Sequence, residues 1–209
     1  IYKKEQIYFI VGGDMLADFK TWKNPQFILD NCNLAVFSRD DYFVDFCKEQ
    51  EYFLNTFNRQ FIRLNYNGKS VSSTRIRTFL EFRIDLGDIL PKKVLNYIEE
   101  NGLYLGDEYT KYVRSVLPEK RLRHTANVVI CASKKVKQLN LDAEKVRISA
   151  TLHDLAKYMD YKSVGGFSLP NNIPQPVIHA FLGGYIAKNH LKILDDEIID
   201  AITYHTSAK

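Results

Sequence analysis

Two periodicities divide the 209-residue chain. Up to about residue 105, short apolar runs bounded by turn formers alternate with stretches whose apolar positions recur every three or four residues. QIYFIVGG (6–13) reads as a buried strand running into a glycine turn, and NLAVFSRD (33–40) and QFIRLNYNG (60–68) read as two further strands. DMLADFKTW, NPQFILDN, the amphipathic DYFVDFCKEQEYFLNTFN, SSTRIRTFLEFR and LPKKVLNYIEENGLY read as helices. Pro25 suits a first helical turn, hydroxyl residues suit the cap before Arg75, and Gly102 suits a helix end. Strand-helix alternation of this kind predicts a parallel sheet covered by helices. From about residue 107 no strand pattern remains. Helical stretches are expected over 108–116, 119–139, 142–159, 174–190 and 195–205, with the breaker-rich loop SVGGFSLPNNIPQP between two of them. The expectation is an α/β portion over residues 1–106 and an all-α portion over 107–209, without internal repeat or low-complexity segment.

One of these helical patterns carries an anomaly. In ISATLHDLAKYMD (148–160), Ile148, Leu152, Leu155 and Ala156 trace an apolar face, yet His153 and Asp154 interrupt it and Lys157 follows one turn on. All five histidines of the chain lie in this second half, and four of them, His124, His153, His179 and His205, stand one per helical stretch at intervals of 29, 26 and 26 residues. His190, in KNHLK at a charged helix end, reads as a solvated surface residue. Any one of the other four, taken alone, reads equally well as a core histidine satisfied by a neighbour. A bundle that turns several imidazoles and a carboxylate inward must pair them or ligate a metal, because buried polar groups need partners. Imidazole with carboxylate suits Fe, Mn or Zn.

The order of these motifs resembles the HD-superfamily metal-dependent phosphohydrolases. RLRHTANVV, LHDLAKY, IHAFLGGYIA and AITYHTSA are closer still to the bacterial YqeK-type branch, symmetrical dinucleoside tetraphosphatases that split diadenosine tetraphosphate into two ADP at a two-metal, usually di-iron, centre. The resemblance covers residues 109–209. It implies that His124, His153 and Asp154 serve one divalent metal and that Asp154, His179 and His205 serve the other, with Fe favoured and Mn an alternative. A carboxylate beside a histidine can bridge two ions, which together activate water and neutralise phosphate charge. The implied catalytic residues are Asp154 and Lys157, the latter holding a substrate phosphate as a point charge; an ordinary surface lysine is the other reading. Gly183 and Gly184 would let a neighbouring helix or a phosphate come close. The family's last ligand, an Asp, lies further along than this chain runs, which stops four residues after His205. On this reading the first metal would be held more loosely, and the chain would keep up to one metal and hydrolyse diadenosine tetraphosphate poorly.

In the first half, FIVGGD at a strand end is by itself a common turn. SVSSTRIR is more telling, because hydroxyls and free amides at a helix start, followed by arginines, form a phosphate site. An ordinary cap with surface arginines explains it as well, and Trp22, the only tryptophan, reads as a stacking platform or a core residue. In order, FIVGGDMLADFKTW, NLAVFSRDDY, VSSTRIRTFL and LPKKVLNYIEENGLY resemble the back half of bacterial nicotinate-nucleotide adenylyltransferase, a Rossmann-like nucleotidyltransferase. The resemblance implies that Gly13 and Asp14 contact adenosine, that Trp22 lies against the nicotinate ring, and that Ser72, Ser73, Thr74 and Arg77 cradle the phosphates of ATP, which carries Mg. Arg39 matches the family's arginine after the second strand, although Asp40-Asp41 replace the usual Pro-Gly. That family's Gly-rich loop with two histidines has no counterpart here, since no histidine precedes His124. Both ends of the chain read as cut.

Composition narrows the picture further. Apolar residues make up 45% and charged residues 26%, and no run approaches the roughly 18 apolar residues of a membrane helix. No membrane partner and no signal peptide are expected. The charge of +4 fits phosphate ligands and is too dispersed to argue for nucleic acid. Cys32, Cys47 and Cys131 form no CxxC pair and read as reduced cytosolic thiols, so the expected location is cytoplasmic. The expected partners are ATP, nicotinate mononucleotide and diadenosine tetraphosphate, with room for a homodimer. The competing expectation is a non-catalytic module that binds nucleotide and metal.

Overall fold

The structure, a computed structural model, describes residues 6–38, 44–65 and 72–207. The chain divides into two compact units, residues 1–70 and 71–209.

In the first unit, strand β1 (Tyr8–Gly12) leads into helices α1 (Gly13–Asp18) and α2 (Pro25–Asn31) and then β2 (Asn33–Phe37). Helix α3 (Phe46–Phe57) and the short β3 (Ile62–Arg63) follow. Both pairings are parallel, in the order β1-β2-β3, with Tyr8 opposite Asn33 and Ala35 opposite Ile62. The helical crossovers are what parallel neighbours require. Strand β2 is central, and its run Leu34, Ala35 and Val36 is buried, as expected of a strand covered on both faces. Phe19, Phe53 and Phe61 pack with them, the Phe19 and Phe53 rings 5.3 Å apart. The third strand is shorter than its apolar run suggested, and Tyr66 to Gly68 lie outside the described residues.

The second unit holds α4 (Ser73–Glu81), α5 (Lys92–Glu100), α6 (Glu108–Val116), α7 (Glu119–Leu139), α8 (Ala143–Leu152), α9 (Ile178–Asn189) and α10 (Asp196–Tyr204). No strand occurs among its described residues. Asp107, Asp142 and Asp195 cap α6, α8 and α10, each carboxylate accepting from a backbone N–H of the first turn. Phe79, Phe82, Ile84 and Leu86 belong to the same core as Ala126, Val129, Leu152, Leu182 and Ile202. The packing boundary therefore falls before α4, whereas the change of periodicity lies near residue 106. Periodicity reports local conformation and not which core a helix face is buried in.

Candidate metal centre

The expected helix over 142–159 ends early. Helix α8 stops at Leu152, and residues 153–158 continue as tight turns, with Leu155 N–H bonded to Leu152 O and Lys157 N–H to Asp154 O. The side chain of His153 supplies the reason. Its Nδ1 lies 2.8 Å from Ala150 O, the carbonyl that Asp154 N–H would use if the α-helix continued. His205 repeats the device directly after α10, with Nδ1 2.8 Å from Ile202 O. A carbonyl only accepts, so both rings carry the proton on Nδ1 and turn an unprotonated Nε2 inward when neutral.

These Nε2 atoms converge on Asp154, whose side chain is 5% exposed. Its Oδ2 lies 3.3 Å from His153 Nε2 and 3.7 Å from His124 Nε2, and those two nitrogens are 3.3 Å apart. Its Oδ1 lies 3.1 Å from His179 Nε2 and 3.6 Å from His205 Nε2. Four imidazoles thus form a row, His124, His153, His205, His179, with neighbouring ring centroids 5.4, 5.2 and 5.2 Å apart. His179 is buried, while His124 is 48% exposed and opens the row to solvent.

Two overlapping donor groups result, His124-His153-Asp154 and Asp154-His179-His205, joined by the one carboxylate. One ion that binds two donors at about 2.1 Å with octahedral or tetrahedral angles holds them about 3.0–3.4 Å apart. The donor spacings given above lie within a few tenths of an ångström of that range, and the Nδ1 bonds of His153 and His205 are the outer contacts that orient ligating imidazoles. The donor set fits a pair of divalent ions. Burial by itself would raise the Asp154 carboxyl, but the imidazoles of His153, His179 and His205 that surround it outweigh burial and hold the group far below the usual carboxylate range. Burial, His153 and Arg121 push His124 down, which favours the neutral, ligating ring.

Glycine determines how close α9 and α10 come. A Cβ on Gly183 would stand 3.2 Å from Ile202 Cγ2, and one on Gly184 would collide with Thr203 Oγ1. The two glycines admit the neighbouring helix, which brings His179 and His205 to the same carboxylate. Lys157 Nζ lies within 3.3 Å of both ring nitrogens of His179 and lines a cleft of about 280 Å³ with Tyr161 and Gln175. A second cleft, of about 670 Å³, adjoins His153 and His205. His190 is exposed. Sequence reasoning overlooked Arg121, whose Nη1 donates to Asp154 Oδ2 at 2.9 Å. Its signal was its place three residues before His124, on the same face of α7.

The front-half candidates stand on different units. Gly13 and Asp14 open α1 directly after β1, and a Cβ on Gly13 would collide with Val44. Trp22 packs on Phe19 and Phe9, at 5.1 and 5.8 Å between centroids, as a half-buried flank of the first core. Ser72 caps α4 by accepting from Arg75 N–H, with Ser73, Thr74 and Arg77 exposed in its first turns. Arg39 and Asp40-Asp41 lie outside the described residues.

Residues 121–209 match the family model described as HD domain, and residues 1–79 match that described as cytidylyltransferase-like. Among curated proteins, the chain is 28% identical over 213 residues to a probable nicotinate-nucleotide adenylyltransferase/Ap4A hydrolase of Mycoplasma genitalium, covering 98% of this chain and 55% of that protein. It is 24% identical over 212 residues to the protein of the same name in Mycoplasma pneumoniae, covering 98% and 56%. A probable nicotinate-nucleotide adenylyltransferase of Clostridium tetani is 37% identical over 101 residues, 47% of this chain and 50% of that protein. The chain spans a little over half the length of the two Mycoplasma relatives. The parallel sheet and the histidine-aspartate centre thus fall into two segments of known kind, a cytidylyltransferase-like domain followed by a helical HD domain.

Proposed function

We propose that residues 107–209 form a metal-dependent phosphohydrolase that splits diadenosine tetraphosphate with water into two ADP. Residues 1–106 are the C-terminal part of a nicotinate-nucleotide adenylyltransferase, which joins ATP to nicotinate mononucleotide and releases pyrophosphate. The observation that carries the hydrolase reading is the pair of donor groups sharing Asp154. The names of the two Mycoplasma relatives support the combination of activities.

His124, His153 and Asp154 would hold one divalent ion and Asp154, His179 and His205 the other, with Fe the expected metal and Mn an alternative. When bound, such a pair lowers the pKa of a water and neutralises charge on phosphate. The protein's own part is orientation and charge. Asp154 stays anionic and faces both donor groups, and the Nδ1 bonds of His153 and His205 keep their Nε2 atoms aimed inward. Lys157, at the edge of its cleft, holds a substrate phosphate. In the front domain, Gly13 and Asp14 would meet adenosine and Trp22 the nicotinate ring. The first turn of α4, with Ser72, Ser73, Thr74 and Arg77, would receive the phosphates of ATP and its Mg, because the N–H groups of a helix start attract anions. Arg39 belongs to the same reading.

The test is release of ADP from diadenosine tetraphosphate by the chain supplied with Fe or Mn, before and after chelation, with Asp154→Asn alongside. Metal-dependent release that the substitution abolishes supports the hydrolase. Stoichiometric metal without turnover of any dinucleoside polyphosphate would favour a binding module instead.

A further inference from the structure

We propose that Arg121 is a second phosphate-gripping residue of the metal centre, at the other donor group from Lys157, so that the site takes a chain of phosphates and not a single one. The inference rests on the hydrolase reading and adds a residue and a ligand geometry to it.

Arg121 sits in the first turn of α7, where a cation is disfavoured by the helix dipole, so its charge does not serve the helix. Its guanidinium crosses to Asp154, donating from Nη1 to the oxygen that also faces His124 and His153. Of the five N–H donors of a guanidinium, this is the one bond Arg121 makes among the described residues, and its side chain is 26% exposed. The remaining fork is the geometry that grips phosphate oxygens in pairs.

Lys157 occupies the corresponding place in the other donor group, on His179, whose Nε2 faces the second oxygen of Asp154. The two permanent cations therefore stand at different donor groups, Arg121 on the Asp154 oxygen that faces His124 and His153, and Lys157 on His179 of the other group. An anion that reaches both cations is a polyphosphate with its reacting phosphorus over Asp154. An excess of positive charge around a single carboxylate selects such a polyanion over a monophosphate.

Calorimetric titration of the full chain with inorganic tripolyphosphate tests this, once after chelation and once with Mn. Wild type, R121A, R121K and K157A are compared, with bound Mn measured by elemental analysis and folding by circular dichroism. Loss of one charge-assisted phosphate contact weakens binding by about tenfold or more. The expectation is such a loss in R121A and in K157A, partial recovery in R121K, and Mn content in R121A within about threefold of wild type at that effect size. Unchanged tripolyphosphate affinity in folded R121A overturns the proposal. So does a loss that appears only with Mn and follows Mn content, which would make Arg121 a support for Asp154 alone. Arg121-dependent tripolyphosphate binding without hydrolysis of diadenosine tetraphosphate would sustain this inference while the hydrolase reading fell.

Discussion

At the scale of single residues, the centre depends on which atom each side chain commits elsewhere. His153 and His205 give Nδ1 to a carbonyl three residues back, so their Nε2 atoms turn to Asp154. Asp154 in turn offers one oxygen to each donor group. Asp154→Asn keeps the shape and removes the charge that both groups share. Metal measured after gel filtration should fall well below one ion per chain while the far-ultraviolet circular dichroism stays helical; equal metal in both proteins would remove Asp154 from the ligand set. In the first turns of α4, Arg77→Ala should weaken ATP binding by about tenfold or more, the worth of a charge-assisted phosphate contact. Equilibrium binding to a protein containing the whole front domain would read this, and unchanged affinity would reduce Arg77 to a surface residue.

At the scale of elements, helix contacts position these residues. Gly184 lies against Thr203 of α10, and nothing stands within 4 Å of a Cβ built on Gly165. Gly184→Val should push α10 away and cost about 1–3 kcal/mol as overpacking does, together with lost metal, whereas Gly165→Ala should be nearly silent. Thermal melts with elemental analysis would separate the two. The start of α6 offers a pH-dependent counterpart. Burial opposes the charge on Asp107, yet its hydrogen bonds from Thr110 and its ion pair with Arg147 outweigh it and hold the carboxyl below its usual value. A lowered folded value means that the stabilisation is complete above about pH 4 and is lost as pH falls through that lowered value. Melting temperatures of wild type and Asp107→Asn should therefore differ at neutral pH and converge in acid; a gap that does not narrow would show that ionisation of Asp107 is not the source.

At the scale of the whole molecule, the described residues form two hydrophobic clusters in place of one. The cluster of Phe19, Leu34 and Phe53 belongs to the first unit and that of Phe82, Leu152 and Ile202 to the second. The candidate metal ligands all lie in the second. A metal that binds the folded second unit should stabilise that unit alone, by about 2.7 kcal/mol at a hundredfold excess over its dissociation constant. Calorimetric scans should show two transitions, with added Mn moving one upward and leaving the other in place. A single transition shifted as a whole would show that the two units unfold together. Among the described residues no helix is long and apolar enough to cross a membrane.

Local pattern determined much of this protein. Alternation marked the parallel strands, and three- and four-residue spacing marked the helices of the second unit, including α6 and α7 from end to end. Unusual residue types on apolar faces marked His124, His153, Asp154, His179 and His205 as a set, because a polar group in such a register demands a partner. The partner itself was beyond local pattern. That α8 ends at Leu152 depends on a side chain competing for a backbone carbonyl, which leaves the apolar spacing of Leu155 and Ala156 intact. That α4 shares a core with α7 depends on packing between segments distant in the chain. Arg121 looked like one basic residue among several in EKRLRH until the fold carried Asp154, 33 residues later, to its guanidinium. Sequence periodicity is set by neighbours along the chain, whereas a site built from four helices and a turn is set by neighbours in space.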